Sequence, residues 1–232
     1  MTDQTPPLDD LDATIRRVDP DRWLSTRFIA DETARAAVIA LYAYNYELAR
    51  VAGGVRDALM GEIRLTWWRE AMEELLAGKT PRRHPVVEAV AKARIPYGPL
   101  VDMAQARLAD LDPPPENRDQ GLAYIDATAG AVMMLAAIRL DPDADPHAVK
   151  GAARAFGISG LHRLGRLWPE SDAVTEAKAA LTDARRQLKN LPVGAFPAAA
   201  YAVLALPYAK GRTPTDFEKR ARVTLAVMTG RV

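Results

Sequence analysis

The stretch ALYAYNYELARVAG, residues 40–53, belongs to a segment that is apolar on nearly every side. Because residues 36–39 are also apolar, a helix formed here is expected to be enclosed by other helices. Asn45, Glu47 and Arg50 are its polar exceptions. On a helical wheel Asn45 falls on the most apolar face, and Glu47 shares a face with Arg50.

Polar groups inside such a helix need partners, since an unpaired buried carboxylate is costly enough to take up a proton. The next predicted helix offers Arg64, one turn before Trp68. We predict that Glu47 pairs with Arg64 or Arg50 and that Asn45 bonds to a neighbouring helix. A pair of this kind fixes helix register and does not by itself catalyse a reaction.

The composition limits the classes of function. The chain has 232 residues, 49% of them hydrophobic, so it is able to bury a large core. Its 31 basic and 30 acidic side chains give a formal charge of +1, which argues against a nucleic-acid partner. The absence of cysteine and the three separated histidines argue against disulfides and against thiolate or histidine metal sites.

The N-terminal residues are polar, acidic and contain prolines, and they lack the pattern of a signal peptide. We predict a flexible tail over residues 1–18 and a single domain over 19–232. The apolar stretches 121–140 and 191–209 are interrupted by Asp126 and by prolines, respectively. We therefore expect core helices, no transmembrane span and a cytoplasmic protein.

Helical periodicity and helix-start patterns recur along the whole chain. Capping patterns at Asp19-Pro20, Asp145-Pro146 and 213–216 mark three helix starts. No alternating strand pattern with a tight turn occurs. The predicted class is all-α, with helices at roughly 20–29, 31–52, 57–77, 84–95, 97–111, 116–140, 146–166, 171–190, 197–209 and 214–230.

Common catalytic motifs are missing. The chain has no phosphate-binding P-loop, no dinucleotide fingerprint and no nucleophile elbow. Glu70 and Glu74 share a helix face, a pattern typical of a solvated helix end. Arg163 and Arg166 suit either a phosphate ligand or a solvated surface.

Five segments together resemble the squalene/phytoene synthase family: ALYAYNYELA at 40–49, IRLTWWREAM at 63–72, HPVVEAV at 84–90, YIDATAGAVMML at 124–135 and FPAAAYAVLALPY at 196–208. They occur in the order expected of that family. The resemblance implies the isoprenoid synthase fold, a bundle of helices around a central cavity.

Active members of the family join two prenyl diphosphates, using Mg²⁺ held by two Asp-rich motifs. The positions of the first motif are occupied here by Ala49, Arg50 and Gly53, none of which binds a cation. No acid lies between Lys150 and Glu170, where the second motif is expected. The resemblance therefore implies no catalytic residues, no metal and no cofactor.

The sequence YNYELARV at 44–51 is similar instead to a divergent branch of the family that includes a mitochondrial complex I assembly factor. This implies a non-catalytic binding or assembly protein, with a protein partner in respiratory-complex assembly and an apolar cavity for an isoprenoid or lipid. A peripheral contact with the inner membrane is compatible with it. The residues predicted to be buried polar groups or to line the cavity are Asn45, Glu47, Arg50, Arg64, Trp68, Arg163 and Arg166.

An alternative is an active head-to-head prenyltransferase whose metal ligands have moved. It requires Mg²⁺ and carboxylates that converge from positions such as Glu47, Asp57, Glu70 and Asp126. The motifs leave the question of enzymatic activity open.

Overall fold

A computed structural model describes the backbone of residues 8–55 and 57–232, and the side chains of residues 11–55 and 57–232. Within these residues the regular structure is helical, without a strand. The α-helices are α1 (Leu8–Val18), α2 (Pro20–Thr26), α3 (Glu32–Ala49), α4 (Ala58–Leu76), α5 (Pro85–Lys92), α6 (Tyr97–Ala106), α7 (Arg118–Ile125), α8 (Ala131–Leu140), α9 (Lys150–Arg163), α10 (Ala173–Gln187), α11 (Ala205–Ala209) and α12 (Asp216–Thr229).

Shorter helical turns connect or extend these helices. The stretch Asp126–Gly130 is a π-helical turn between α7 and α8. The 3-10 turns are Ala52–Gly54, Arg107–Leu111, Pro146–Val149, Leu188–Asn190, Val193–Ala198 and Ala200–Leu204. The all-α prediction is confirmed, with most helix ends within a few residues of their expected positions.

The chain divides into two compact units. Of the described residues, the first unit contains 8–23, 30–55 and 57–112, and the second contains 24–29 and 113–232. A single domain over residues 19–232 stays a prediction. The predicted tail is wrong for residues 8–18, which form α1 with Leu11 and Ile15 buried. Those two apolar residues lie one turn apart and give the helix a face to bury, whereas residues 1–7 lie outside the described part of the chain.

Helix α3 is the core of the first unit. Asp31 caps its start by accepting hydrogen bonds from the backbone of Thr33 and Ala34. Eleven of its 18 residues are buried, which explains why its sequence is apolar on several sides. The Tyr44 hydroxyl donates to the Leu100 carbonyl at 2.8 Å, and burial raises the pKa of this tyrosine. This bond ties α3 to α6.

Helices α4 and α6 pack closely in the same unit, and α3 packs against α5. The close approach to α4 depends on Gly61, where an added Cβ would lie 2.5 Å from the side chain of Leu111. This packing sets the spacing between the start of α4 and the 3-10 turn that follows α6.

In the second unit, α9 packs against α10 and α11. Gly151 allows the contact with α10, because an added Cβ would lie 2.5 Å from the backbone nitrogen of Ala184. Gly157 packs against Ile125 in a similar way, because an added Cβ would lie 2.4 Å from Cγ2 of Ile125. Small residues therefore set the helix spacing around α9.

The predicted helix over 197–209 is wrong for most of its length. Two 3-10 turns occupy residues 193–204, and only Ala205–Ala209 is α-helical. Pro197 lies inside the first 3-10 turn, where it lacks the N–H that a longer α-helix needs. The segment is nevertheless buried, as its apolar sequence predicts.

The stretch Arg118–Leu140 is the one candidate membrane span among the described residues by length and composition, with a mean hydropathy of 1.6. Half of its most apolar window is buried inside the protein. Length and composition are weak evidence for a span, because buried core helices share them.

Candidate functional site

The polar residues of the motif at 40–53 lie at the C-terminal end of α3. Asn45 is buried at 4% exposure, as its place on the apolar face predicts. Glu47 is half-buried, and Arg50 caps the helix end in an exposed position. The chain then turns through the 3-10 segment Ala52–Gly54 before α4 begins.

Asn45 bonds to a neighbouring helical segment, as predicted. Its side-chain oxygen accepts a hydrogen bond from Nη2 of Arg107 at 2.9 Å, and Nη1 of Arg107 contacts Asp110 at 3.2 Å. The side chains of Arg107 and Asp110 are only 12% and 14% exposed. The apolar face around Asn45 indicated a need for a partner, but nothing in the sequence singled out Arg107.

Glu47 pairs with Arg50, one of its two predicted partners. Nε of Arg50 lies 2.9 Å from Oε2 of Glu47, and the Arg50 guanidinium also lies 5.7 Å from the ring centre of Tyr46. The Glu47 side chain is 16% exposed and that of Arg50 is 60% exposed. Arg50 was predicted to be buried or to line a cavity, and it is not buried, because the helix end leaves it open to solvent.

These residues border an open cleft of about 780 Å³, here called the α3–α4 cleft. It lies within the first unit and brings together four of the residues predicted to be buried or to line the cavity: Glu47, Arg50, Arg64 and Trp68. Its other lining residues are Tyr46, Val51, Gly53, Gly54, Trp67 and His84.

Arg64 stands at the rim of the cleft. It is exposed, in contrast to the prediction of a buried partner for Glu47. Its Nη1 atom lies close to Gly54 in the 3-10 turn Ala52–Gly54. A Cβ atom placed on Gly54 would be 3.8 Å from this nitrogen. The guanidinium is therefore available at the surface beside α3.

Three aromatic rings form the wall of the cleft. Trp67 and Trp68 meet edge to face with ring centres 5.0 Å apart, and His84 lies 4.8 Å from the ring of Trp68. Nδ1 of His84 accepts a hydrogen bond from the backbone of Val86 at the start of α5, so the neutral ring carries its proton on Nε2. Trp68 is buried, whereas Trp67 is half-buried.

Arg82 packs against this wall and holds it in place through ion pairs. Its guanidinium lies 5.2 Å from the ring centre of Trp67 and pairs with Glu70 at 3.0 Å and Glu74 at 2.8 Å. Hydrogen bonding to Arg82 lowers the pKa of Glu74 and raises the pKa of the arginine. The two glutamates are therefore engaged in a structural ion pair, which the interpretation as a solvated helix end missed.

The residues near the end of α3 do not fit Mg²⁺. Ala49 and Gly53 offer no side-chain oxygen, and Arg50 holds the nearby Glu47 carboxylate. Hard divalent cations need several convergent oxygen ligands. In the described part of the chain, no three Asp, Glu, His or Cys side chains come together as a metal site.

The carboxylates required by the prenyltransferase alternative have other contacts. Glu47 and Glu70 each pair with an arginine, as described above. Asp57 caps α4 by accepting a hydrogen bond from the backbone of Leu59 at 3.0 Å. Glu47, Asp57 and Glu70 belong to the first unit and Asp126 to the second.

Asp126 begins the π-helical turn in the second unit. Nε and Nη2 of Arg154 donate to its carboxylate at 2.8 and 2.7 Å, and Lys150 lies 3.4 Å away. Burial alone raises the pKa of Asp126, but the hydrogen bonds and charges of Arg154 and Lys150 outweigh it and hold the pKa below its usual value. Sequence reasoning missed both the π-turn and this pairing.

Arg163 and Arg166 also lie in the second unit, and each has its own contact. The guanidinium of Arg163 lies 4.4 Å from the ring centre of Tyr208, and Arg166 reaches the carbonyl of Pro113 at 3.5 Å. Arg163 is exposed and Arg166 half-buried. Of the predicted buried or cavity residues, Arg163 is therefore not buried, and neither Arg163 nor Arg166 lines the α3–α4 cleft.

Two crystal structures share this fold. A dehydrosqualene synthase in complex with ligand superposes with a TM-score of 0.77 at 14% identity, over 96% of this chain and 95% of the other. The squalene synthase HpnC from Alicyclobacillus acidocaldarius gives a TM-score of 0.68 at 15% identity, over 96% and 94%. These similarities confirm the predicted isoprenoid synthase fold.

Two curated relatives are both named NADH dehydrogenase (ubiquinone) complex I, assembly factor 6. The mouse protein is 29% identical over 151 residues, which are 62% of this chain and 45% of the relative. The human protein is 27% identical over 101 residues, which are 42% of this chain and 30% of the relative. The match thus spans less than half the length of either relative.

A model of the family described as squalene/phytoene synthase matches residues 15–160, more than half of the chain. The match includes α3, α4 and the π-turn, which carry three of the motifs that suggested the family. The relatives add an assembly-factor branch to the synthases that share the fold. The chain belongs to the squalene/phytoene synthase family.

Proposed function

We propose that this protein is a non-catalytic member of its family that acts as a binding or assembly factor. The observation that carries the proposal is the Glu47–Arg50 ion pair at the end of α3. A guanidinium occupies a position that the resemblance assigns to a metal ligand, and it engages the carboxylate of Glu47. A metal-dependent departure of diphosphate needs the opposite arrangement of charge.

The proposed partner is a protein taking part in the assembly of respiratory complex I. This part of the proposal is supported by the assembly-factor names of the mouse and human relatives. We further propose a cytoplasmic protein with a peripheral contact at the inner membrane, no cofactor, and an apolar cavity able to hold an isoprenoid or lipid.

Catalysis is tested by incubating the purified protein with farnesyl or geranylgeranyl diphosphate, Mg²⁺ and a reductant, while diphosphate release is measured. An active synthase of the family serves as the positive control. No release above the background without protein is expected. Release at a rate close to that of the control would overturn the non-catalytic proposal in favour of a prenyltransferase with relocated ligands.

The assembly role is tested in the native host. Deleting the gene is expected to lower the amount of assembled complex I on a native gel and to lower membrane NADH–quinone reductase activity. Expression of the wild-type chain should restore both. An unchanged complex I level in the deletion strain would contradict the assembly role.

A further inference from the structure

The lining of the α3–α4 cleft has the composition of a protein-binding hot spot. Such hot spots are enriched in Trp, Tyr and Arg. The α3–α4 cleft, of about 780 Å³, is lined by five residues of these types: Tyr46, Arg50, Arg64, Trp67 and Trp68.

The apolar surface continues beyond the cleft along the first turns of α4. Met60 and Ile63 are 46% and 53% exposed and lie on the same side of the helix as Arg64 and Trp67. Large apolar side chains exposed next to a concave site indicate a surface that a partner covers.

The wall of the cleft is already ordered. Trp67 is held between the ring of Trp68 and the guanidinium of Arg82, and Arg82 is itself held by two glutamates. A ligand that packs on Trp67 therefore does not have to order this wall, which reduces the entropy cost of binding.

The charge of the cleft selects the kind of segment. Glu47 is paired with Arg50, so its negative charge is compensated, and Arg64 adds an exposed positive charge at the rim. Guanidinium groups favour carboxylates in a planar, two-bond arrangement. An acidic side chain of a partner complements this rim.

Two other occupants fit less well. A prenyl chain needs a continuous apolar lining, whereas Glu47, Arg50 and Arg64 interrupt it here. A membrane surface is broad, whereas the rings of Trp67 and Trp68 line a concave cleft. A peptide segment with alternating acidic and apolar side chains matches both the wall and the rim.

We propose that the α3–α4 cleft is a docking site for an acidic segment of a partner protein. A carboxylate of the segment pairs with Arg64, and a neighbouring apolar side chain packs on Trp67, Met60 and Ile63. This inference rests on the proposed binding function, and it adds the site and the chemistry of the partner.

The test selects peptides from a phage-displayed random library on the wild-type protein and measures the binding of the enriched peptides by fluorescence polarisation. Enriched sequences are expected to be acidic with an adjacent apolar residue. Arg64→Glu should weaken their binding about tenfold or more, because it replaces an attractive ion pair with a repulsive one. The control Arg17→Glu changes an exposed arginine that does not line the cleft, and it should bind like the wild type.

Arg64 is exposed, so its replacement is expected to keep the fold, which a matching circular dichroism melt verifies. Trp67→Phe should retain binding and Trp67→Ala should reduce it. Failure to enrich acidic peptides, or equal binding by Arg64→Glu and Arg17→Glu, would overturn the docking site. So would binding of phosphatidylglycerol vesicles with the same dependence on Arg64. The diphosphate-release assay tests the non-catalytic proposal separately and does not depend on any of these results.

Discussion

Asn45 accepts a hydrogen bond from Arg107, although 62 residues of chain separate them. The bond joins the C-terminal part of α3 to the 3-10 turn that follows α6. Asp110 contacts the same guanidinium, so a buried charge is held from two sides. Asn45, Arg107 and Asp110 therefore form a largely buried polar cluster inside the first unit, here called the polar lock, of which only Asn45 was singled out from the sequence.

Replacing Asn45 with Ala should lower the free energy of unfolding by about 1–3 kcal/mol, because it removes an acceptor from a buried guanidinium. Urea unfolding followed by circular dichroism measures the change. Asn45→Asp keeps the acceptor and should be milder. Asn190→Ala, at an exposed position, is the matched control and should change little. Equal stability of the two alanine variants would contradict the lock.

Replacing Glu47 with Gln should cost less than about 1 kcal/mol, because its partner Arg50 is largely exposed. A fully enclosed pair would cost about 3–5 kcal/mol when one partner is removed. Thermal and urea unfolding at low and high salt distinguish these cases. A salt-insensitive loss in the larger range would show that Glu47 is enclosed after all.

Replacing Gly151 with Ala should lower the free energy of unfolding by about 1–3 kcal/mol, because the new methyl group meets the backbone of α10. Gly160 lies on the same helix with no atom within 4 Å of an added Cβ. Gly160→Ala should therefore stabilise the protein by up to about 1 kcal/mol through helix propensity. Urea unfolding of both variants checks the opposite signs, and a loss of stability in both would argue against the packing explanation.

The ion pairs of Asp126 should make stability depend on pH in the acid range. Its pKa is lowered in the folded protein, so its contribution is present above the ordinary value of 3.8 and is lost as the pH falls through the lower folded value. Asp126→Asn should be less stable than wild type near neutral pH, and the difference should shrink below about pH 3.8. Urea unfolding at stepped pH measures this, with the exposed Asp143→Asn as the control. A difference that stays constant with pH would contradict the assignment.

Local chemistry made much of the fold predictable. Asp145 and Thr215 cap the helical turns that their capping patterns predicted, because the capping oxygen and the helix start are only a few residues apart. The prolines in 191–209 ruled out a long helix, but the 3-10 turns that replaced it depend on how the segment packs.

The contacts of the site were only partly predictable. The sequence indicated that Asn45 and Glu47 need partners, and a partner three residues away was within reach of that reasoning. The pairing of Asn45 with Arg107 could not be predicted in this way, because it depends on the packing of α6 against the rest of the unit. The π-turn at Asp126 likewise depends on a shift in backbone hydrogen bonds that side-chain periodicity does not report.

On the proposed function, the pairing of Arg50 with Glu47 makes the loss of synthase chemistry hard to reverse. A single change of Arg50 to Asp would remove the cation beside Glu47 and place a second carboxylate one turn away, where like charges repel. Changes at Ala49 or Gly53 alone would leave the arginine in the way of a metal. None of these three single substitutions restores a metal site by itself. We therefore expect the family branch to keep this scaffold and to evolve through changes in its binding surface.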